Sequence, residues 1–173
     1  HIPNLKVCSP MTSKEYKRIW NYYIKNDHPL FVSEHRNSYL SNIDLKNIYY
    51  TRSVITIFAI SSSRFESDKA VKSLKKIGIE CDLINVLWLN PFRLRSKELE
   101  SIKKTKLGLV IDASYEHCGI TESISYKIME ICDCKVFAMG LKNISPGVTE
   151  KTQNGTPSAN EIVLKVKNLV SRQ

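Results

Sequence analysis

The stretch Leu107–Met129 reads LGLVIDASYEHCGITESISYKIM, and its reading decides the fold. Leu107, Leu109, Val110 and Ile111 make a short apolar run with β-branched members, the pattern of a strand buried on both faces. Asp112 stops that run at what would be the strand's carboxyl end. The loop Ala113–Gly119 is polar, and Gly119 is its hinge. Ile120, Ile124, Ile128 and Ile131 then recur along one helical face, with Thr121 as the expected cap. Strand, loop and helix with a carboxylate at the switch form half of a βαβ unit. In open α/β sheets, ligands and partners gather at that edge.

The same alternation extends outward. Upstream, Val54–Ile60 (VITIFAI) has strong β-propensity, and a loop Ser61–Glu66 with three consecutive serines follows it. Ala70, Val71, Leu74 and Ile77 predict a helix that stops at Gly78. Cys81–Leu87 is the next strand, Pro91 breaks the chain, and Leu99 and Ile102 mark a helix over 96–104. Downstream, Val136–Met139 is a fourth strand. The stretch Leu141–Pro157 carries the turn signals Pro146-Gly147 and Asn154-Gly155. Ser158 and Glu161 have capping-box spacing at the start of a closing helix marked by Ile162, Val163, Val166, Leu169 and Val170. Strands alternating with helices imply a mostly parallel sheet with helices on both faces.

The first fifty residues differ. Leu5 and Val7 alternate as in a strand, and Thr12 with Glu15 has capping-box spacing. Tyr16, Ile19, Trp20, Tyr23 and Ile24 mark an amphipathic helix to about Lys25. That aromatic stripe has too little partner surface nearby, so it is expected to pack on the rest of the chain or on a second copy. Asn26-Asp27-His28-Pro29 ends the helix, and Leu30–Ser33 is a short strand. Ser41–Tyr50 reads as a linker or a crossing segment, and as the place where a protease would cut.

Composition narrows the function classes. The 173 residues suffice for one domain plus a piece of another. No apolar run approaches the ~20 residues of a membrane span, and no secretory signal opens the chain. It begins at His1, which fits a processed product or a piece of something longer. The net charge of +9 invites a nucleic-acid reading. Against it, the lysines are scattered, and the densest groups (Lys72, Lys75, Lys76 and Lys103, Lys104, Lys106) sit at helix ends that favour cations. The expectation is no nucleic-acid partner and no membrane. Five cysteines at irregular spacings, with Cys132-Asp-Cys134 too close for a common zinc knuckle, favour free thiols, no metal site and a cytoplasmic setting.

Several segments, in order, resemble a known family. His1–Val7 (HIPNLKV) with Ser9-Pro10 resembles the "HIPGLKVV-P" segment of thiamine-diphosphate-dependent 2-oxoacid dehydrogenase E1 β subunits and, less closely, of transketolases. Asn26–Tyr39 (NDHPLFVSEHRNSY) is similar to "DDNPVIFLEHRLLY". Ile79–Phe92 (IECDLINVLWLNPF) is similar to "GISAEVIDLRTLKPLD". Lys103–Thr105 through Asp112, then Gly119 and Glu122, resembles "KTGRLVVVDE…GG.GAEI". The Glu34-His35-Arg36 end favours the E1 β type over a sugar transketolase, whose matching strand usually ends in an arginine-rich "RYPRG"-like segment.

The resemblance implies a three-layer α/β/α sandwich with a mostly parallel five-stranded sheet over 48–173, preceded over 1–47 by the tail of a pyrimidine-binding α/β domain. A fifth strand, antiparallel, would lie in 141–156. The parent would use thiamine diphosphate and magnesium for 2-oxoacid decarboxylation or two-carbon transfer. The family's pyrimidine-binding glutamate and active-site histidine match positions upstream of His1, and its diphosphate and magnesium site lies on another domain. No cofactor, catalytic residue or metal is therefore expected in this chain. Partners would be a second copy or the α subunit or domain of the same enzyme. Departures are Ser61–Ser63 in place of a glycine-containing loop, Ala113 in place of Glu, and Cys118-Gly119 in place of a Gly pair. Tyr23, Asn26 and His28 match a monovalent-cation position of some members, but the changed residue types argue against an ion.

Two groups of residues are site candidates. Asp112, Glu116 and His117 combine carboxylates with an imidazole, a set suited to acid–base work or anion binding. With no nucleophile paired to them, they read as loop-ordering or interface residues, because the family uses this domain for dimer contacts. Glu34, His35 and Arg36 lie near a subunit interface in a β subunit, where Arg36 would pair across it. A different class of protein fits the same elements: a free-standing flavodoxin-like α/β module that binds a small anion or a partner protein.

Overall fold

The β-branched runs become strands of a parallel sheet. The computed structural model of the protein describes residues 2–39, 43–145, 147, 149 and 154–172. The large sheet contains β3 (Ile55–Ile60), β4 (Cys81–Val86), β6 (Leu107–Tyr115) and β7 (Lys135–Leu141) in the order β4-β3-β6-β7, with every pairing parallel. Helices α2 (Ser63–Lys76) and α5 (Ala159–Val170) cover one face, and α3 (Ser96–Thr105) and α4 (Ile120–Ile131) the other. The period-two alternation of a strand sorts the side chains. Ile55, Ile57 and Ala59 of β3 meet α2 and α5, whereas Phe58 and Ile60 meet α3 and α4. All six residues of β3 and of β4 are buried. Each fully buried Ile, Leu or Phe contributes about 1.5–3 kcal/mol, so this two-sided core carries the fold.

A small sheet flanks it, in the order β2-β1-β5, with β1 (Lys6–Cys8) parallel to β2 (Leu30–Val32) and antiparallel to β5 (Trp88–Asn90). After β4 the chain passes through buried Leu87 and adds Trp88–Asn90 to β1. No Gly or Pro marks the change between Val86 and Trp88, so the sequence reads there as a single strand followed by a break at Pro91. Helix α1 (Ser13–Lys25) starts at Thr12, whose hydroxyl accepts from Glu15 N at 3.3 Å. Its Ile19 is buried with Cys8 and Leu87. Tyr16 is half-buried, but Trp20, Tyr23 and Ile24 stay 62%, 50% and 65% exposed, so the described residues leave that part of the aromatic stripe uncovered.

Three local expectations are corrected. The loop over 61–66 shrinks to Ser61 and Ser62, because Ser61 turns the chain with a left-handed φ of 52° and α2 begins at Ser63. The Ser63 hydroxyl points inward, 2.6 Å from Ile60 O and 2.9 Å from Ile111 O, and so bridges the ends of β3 and β6. Asp112 does not end β6, which continues to Tyr115 where Tyr115 pairs with Leu141 beyond an irregularity in the ladder. Gly119, not Thr121, is the N-cap of α4, and Glu122 turns back to accept from Cys118 N at 2.9 Å. The fifth strand expected in 141–156 falls partly on residues outside the described ones. Among the described residues the large sheet has four strands, and its β4 edge carries an antiparallel bridge between Ile48 and Leu83. Gly78, with φ 82°, closes α2 as the C′ residue.

Candidate functional site

The six residues singled out from the sequence occupy two separate places. Glu34 is exposed just beyond β2 and accepts from Tyr39 Oη at 2.6 Å. His35 is half-buried, and its carbonyl accepts from Ser38 N at 2.8 Å, which closes the short turn Arg36–Ser38. Arg36 is exposed. The second group lies at the far end of β6. Asp112 is buried there, and its Oδ2 accepts from the Ser114 hydroxyl, while Oδ1 has no hydrogen-bond partner among the described residues. Glu116 and His117 are exposed, and Glu116 accepts from Gly140 N at 3.3 Å. Tyr23, Asn26 and His28 belong to the turn that closes α1, where the Asn26 side chain donates to Tyr22 O at 2.7 Å.

None of these residues lines the cleft of about 750 Å³ between the two sheets. It opens off the carboxyl end of β4, at Ile84, Asn85 and Val86, where ligands settle on parallel sheets. One wall comes from α1, which presents Glu15, Arg18 and Tyr22 at helical spacing. Lys6, Trp88 and the segment Pro91–Arg95 form the other side, and Leu45–Asn47 crosses between them. Tyr22 and Trp88 meet edge to face with centroids 5.0 Å apart, and Lys6 Nζ sits 5.2 Å from the Tyr22 ring centroid.

A buried ion pair holds the cleft together. The Arg64 side chain is fully buried on α2 and grips Glu15 of α1 with both terminal nitrogens, at 2.9 and 2.8 Å. Its Nε donates to Asn85 Oδ1 at 3.2 Å, and Asn85 Nδ2 donates to Lys46 O at 2.9 Å. Glu15 also accepts from Met11 N at 2.9 Å, so the expected capping box keeps only its Thr12 half and the glutamate serves as the anchor. Sequence reasoning missed this pair, because Glu15 read as a helix cap and Arg64 as part of a loop. The one available signal is the arginine immediately after three serines, at the first turn of a helix beside a strand end.

A second polar cluster lies at the amino edge of the large sheet. Asp82, fully buried on β4, accepts from Tyr50 N at 2.8 Å, Ser101 Oγ at 2.7 Å, Lys104 Nζ at 3.0 Å and the Ser53 hydroxyl. Burial alone would raise its pKa, but these donors outweigh it and hold the carboxyl below the usual range. Burial pushes the Cys8 thiol up to about 11 and that of Cys81 to about 12, so both are inert at neutral pH. Among the described residues, no group of three or more His, Cys, Asp or Glu is placed to hold a metal ion. No helix among them is long and apolar enough to cross a membrane.

Comparisons with known proteins converge. The family described as "Transketolase, C-terminal domain" matches residues 48–154. The mitochondrial pyruvate dehydrogenase E1 component subunit beta of Rattus norvegicus is 28% identical over 145 residues, covering 75% of this chain and 40% of its own length. The Mus musculus counterpart is 25% identical over 192 residues, covering 99% of this chain and 53% of its own length. The beta subunit of the acetoin:2,6-dichlorophenolindophenol oxidoreductase of Cupriavidus necator is 26% identical over 141 residues, covering 75% and 41%. The chain thus spans roughly two fifths to half of the curated relatives it matches. Among solved structures, an inactive β4 tetramer of a split-gene transketolase superposes with a TM-score of 0.74 at 16% identity, covering 98% of this chain and 58% of that one. A Campylobacter jejuni transketolase gives 0.67 at 16% identity, covering 96% and 26%.

Proposed function

The chain belongs to the transketolase C-terminal domain family, and from that membership we propose that it is the carboxyl-terminal part of a thiamine-diphosphate-dependent enzyme of the E1 β or transketolase type. The observation that carries this reading is the extent of the match. The mouse E1 β alignment covers 99% of the chain, so it includes the residues ahead of the family domain. On this reading residues 1–47 finish a pyrimidine-binding domain and residues 48–173 form the domain that props it. When bound to the parent protein, the cofactor supplies the chemistry of 2-oxoacid decarboxylation or two-carbon transfer. The described residues bring together no carboxylate cluster for a magnesium ion, so we assign the cofactor's diphosphate and its metal to parts of the parent outside this chain. This chain contributes architecture and subunit contact, in a cytoplasmic protein. The exposed stripe Trp20, Tyr23 and Ile24 supports the contact, with a second copy or an α subunit as its partner. Arg36 pairs across that interface, and Asp112, Glu116 and His117 order a loop beside one.

Two measurements test this. Sedimentation equilibrium is expected to show a dimer that a Trp20→Glu, Tyr23→Glu double substitution dissociates; a strictly monomeric parent chain counts against the second-copy contact. Calorimetry with thiamine diphosphate and magnesium is expected to show no tight binding. A dissociation constant at or below about 1 μM, roughly −8 kcal/mol, would place the cofactor site in this chain after all.

A further inference from the structure

We propose that the cleft between the two sheets binds a small aromatic phosphate, with nucleoside diphosphates as the representative class. This goes beyond the scaffold reading and does not rest on it. The cleft's size of about 750 Å³ suits a small ligand. Its lining carries several cations that no carboxylate among the described residues neutralises. Lys14, Lys69 and Lys72 each pair with a carboxylate. Lys6, Arg18, Lys46 and Arg93 line the cleft, and none of them is ion-paired among the described residues.

The two carboxylates in the cleft are already engaged. Glu15 is held by Arg64 and by Met11 N, and Glu98 accepts from Arg95 Nε and Arg95 N, both at 2.8 Å. The unpaired cations therefore face a concave, partly apolar space where their field is concentrated and an anion is drawn in. Tyr22, Trp88 and Phe92 supply aromatic surface beside them, against which a flat base can stack. With Glu15 and Glu98 both occupied, the site offers a divalent metal no free carboxylate. Binding therefore does not require magnesium, which separates it from the cofactor site assigned to the parent enzyme.

The test uses the whole chain with Trp20→Phe, so that Trp88 is the remaining tryptophan. ADP, pyrophosphate and adenosine are titrated separately in the presence of EDTA, with fluorescence and calorimetry in parallel so that a silent Trp88 does not hide binding. ADP is expected to saturate with a midpoint of about 0.1 mM, pyrophosphate to bind about tenfold more weakly, and adenosine more weakly still. Lys46→Glu with Arg93→Glu changes two exposed side chains and should weaken ADP at least about tenfold, whereas the charge-matched Lys76→Glu with Lys167→Glu should change it less than about twofold. Circular dichroism checks the fold, and Lys46→Ala, expected to weaken ADP about threefold, serves if the double reversal misfolds. No saturable signal by about 5 mM ADP in either readout, or equal weakening by the two charge-matched pairs, would overturn the proposal.

Discussion

The large sheet and the small sheet solve the problem of burial in opposite ways. The large sheet buries β3 and β4 completely between two helical layers. Among the described residues the small sheet has as its hydrophobic centre Cys8 with Ile19 of α1 and the linking Leu87, and it leaves Phe31 55% exposed on its edge strand. It also borrows its third strand, because β5 follows directly from β4. What secures it to the large sheet is chiefly polar: the Arg64–Glu15 pair and the asparagine contacts around Lys46. An apolar core is stable by area alone, whereas a polar bridge depends on each donor finding its acceptor. The small sheet should therefore loosen first and do so through particular bonds.

Paired substitutions give the sharpest contrast. Phe58→Ala in the large sheet should cost about 3–5 kcal/mol of unfolding free energy, whereas Phe31→Ala on the exposed edge should stay within about 0.5 kcal/mol. Denaturant melts of the two variants decide it, and equal losses would erase the distinction between the sheets.

Next in size is Arg64→Ala. Removing one partner of a buried pair strands the other charge, and about 3 kcal/mol is expected because Glu15 keeps some access to water. The loss should appear as a local opening. Cys8 of the small sheet should become labelled by a thiol reagent while Cys81 of the large sheet stays protected, although both are fully buried in the parent. Simultaneous labelling of both would mean that the sheets open together.

Asp82 supplies a pH test of the other edge. Its carboxyl is depressed in the folded chain, so its ionised form stabilises the fold above the ordinary unfolded value of about 3.9, and that stability drains away as pH falls through the lower folded value. Asp82→Asn should cost about 1–3 kcal/mol at neutral pH, and the gap to the parent should close below about pH 4. A gap unchanged at low pH would show that shape, not charge, holds this cluster. A smaller loss than at Asp82 is expected for Ser158→Ala, which removes the N-cap of α5 and should cost about 1 kcal/mol in a thermal melt.

Limited proteolysis refines the boundary. Leu45 is buried, Asn47 accepts from Asn85 N at 2.8 Å, and Ile48 exchanges backbone bonds with Leu83 at 2.8 Å in both directions. The protected carboxyl-terminal fragment should therefore begin upstream of Leu45 rather than near Thr51.

By itself, the sequence determined the elements whose cause is local. Short β-branched apolar runs marked the large sheet's strands and period-3.6 patterns its covering helices, Thr12 and Ser158 announced helix starts, and Gly78 announced a stop. The family resemblance was legible for the same reason, as short segments in a fixed order. Tertiary structure alone decided the transfer of Trp88–Asn90 to the small sheet, the turning of Ser63 inward, and the meeting of Arg64 with Glu15 across 49 positions. It also gathered Arg18, Lys46 and Arg93 from a helix, a crossing segment and a loop into one cleft. A pairing between distant residues leaves no periodic trace, and a cation reads alike on any helix until the chain has folded and shown which carboxylates are already taken.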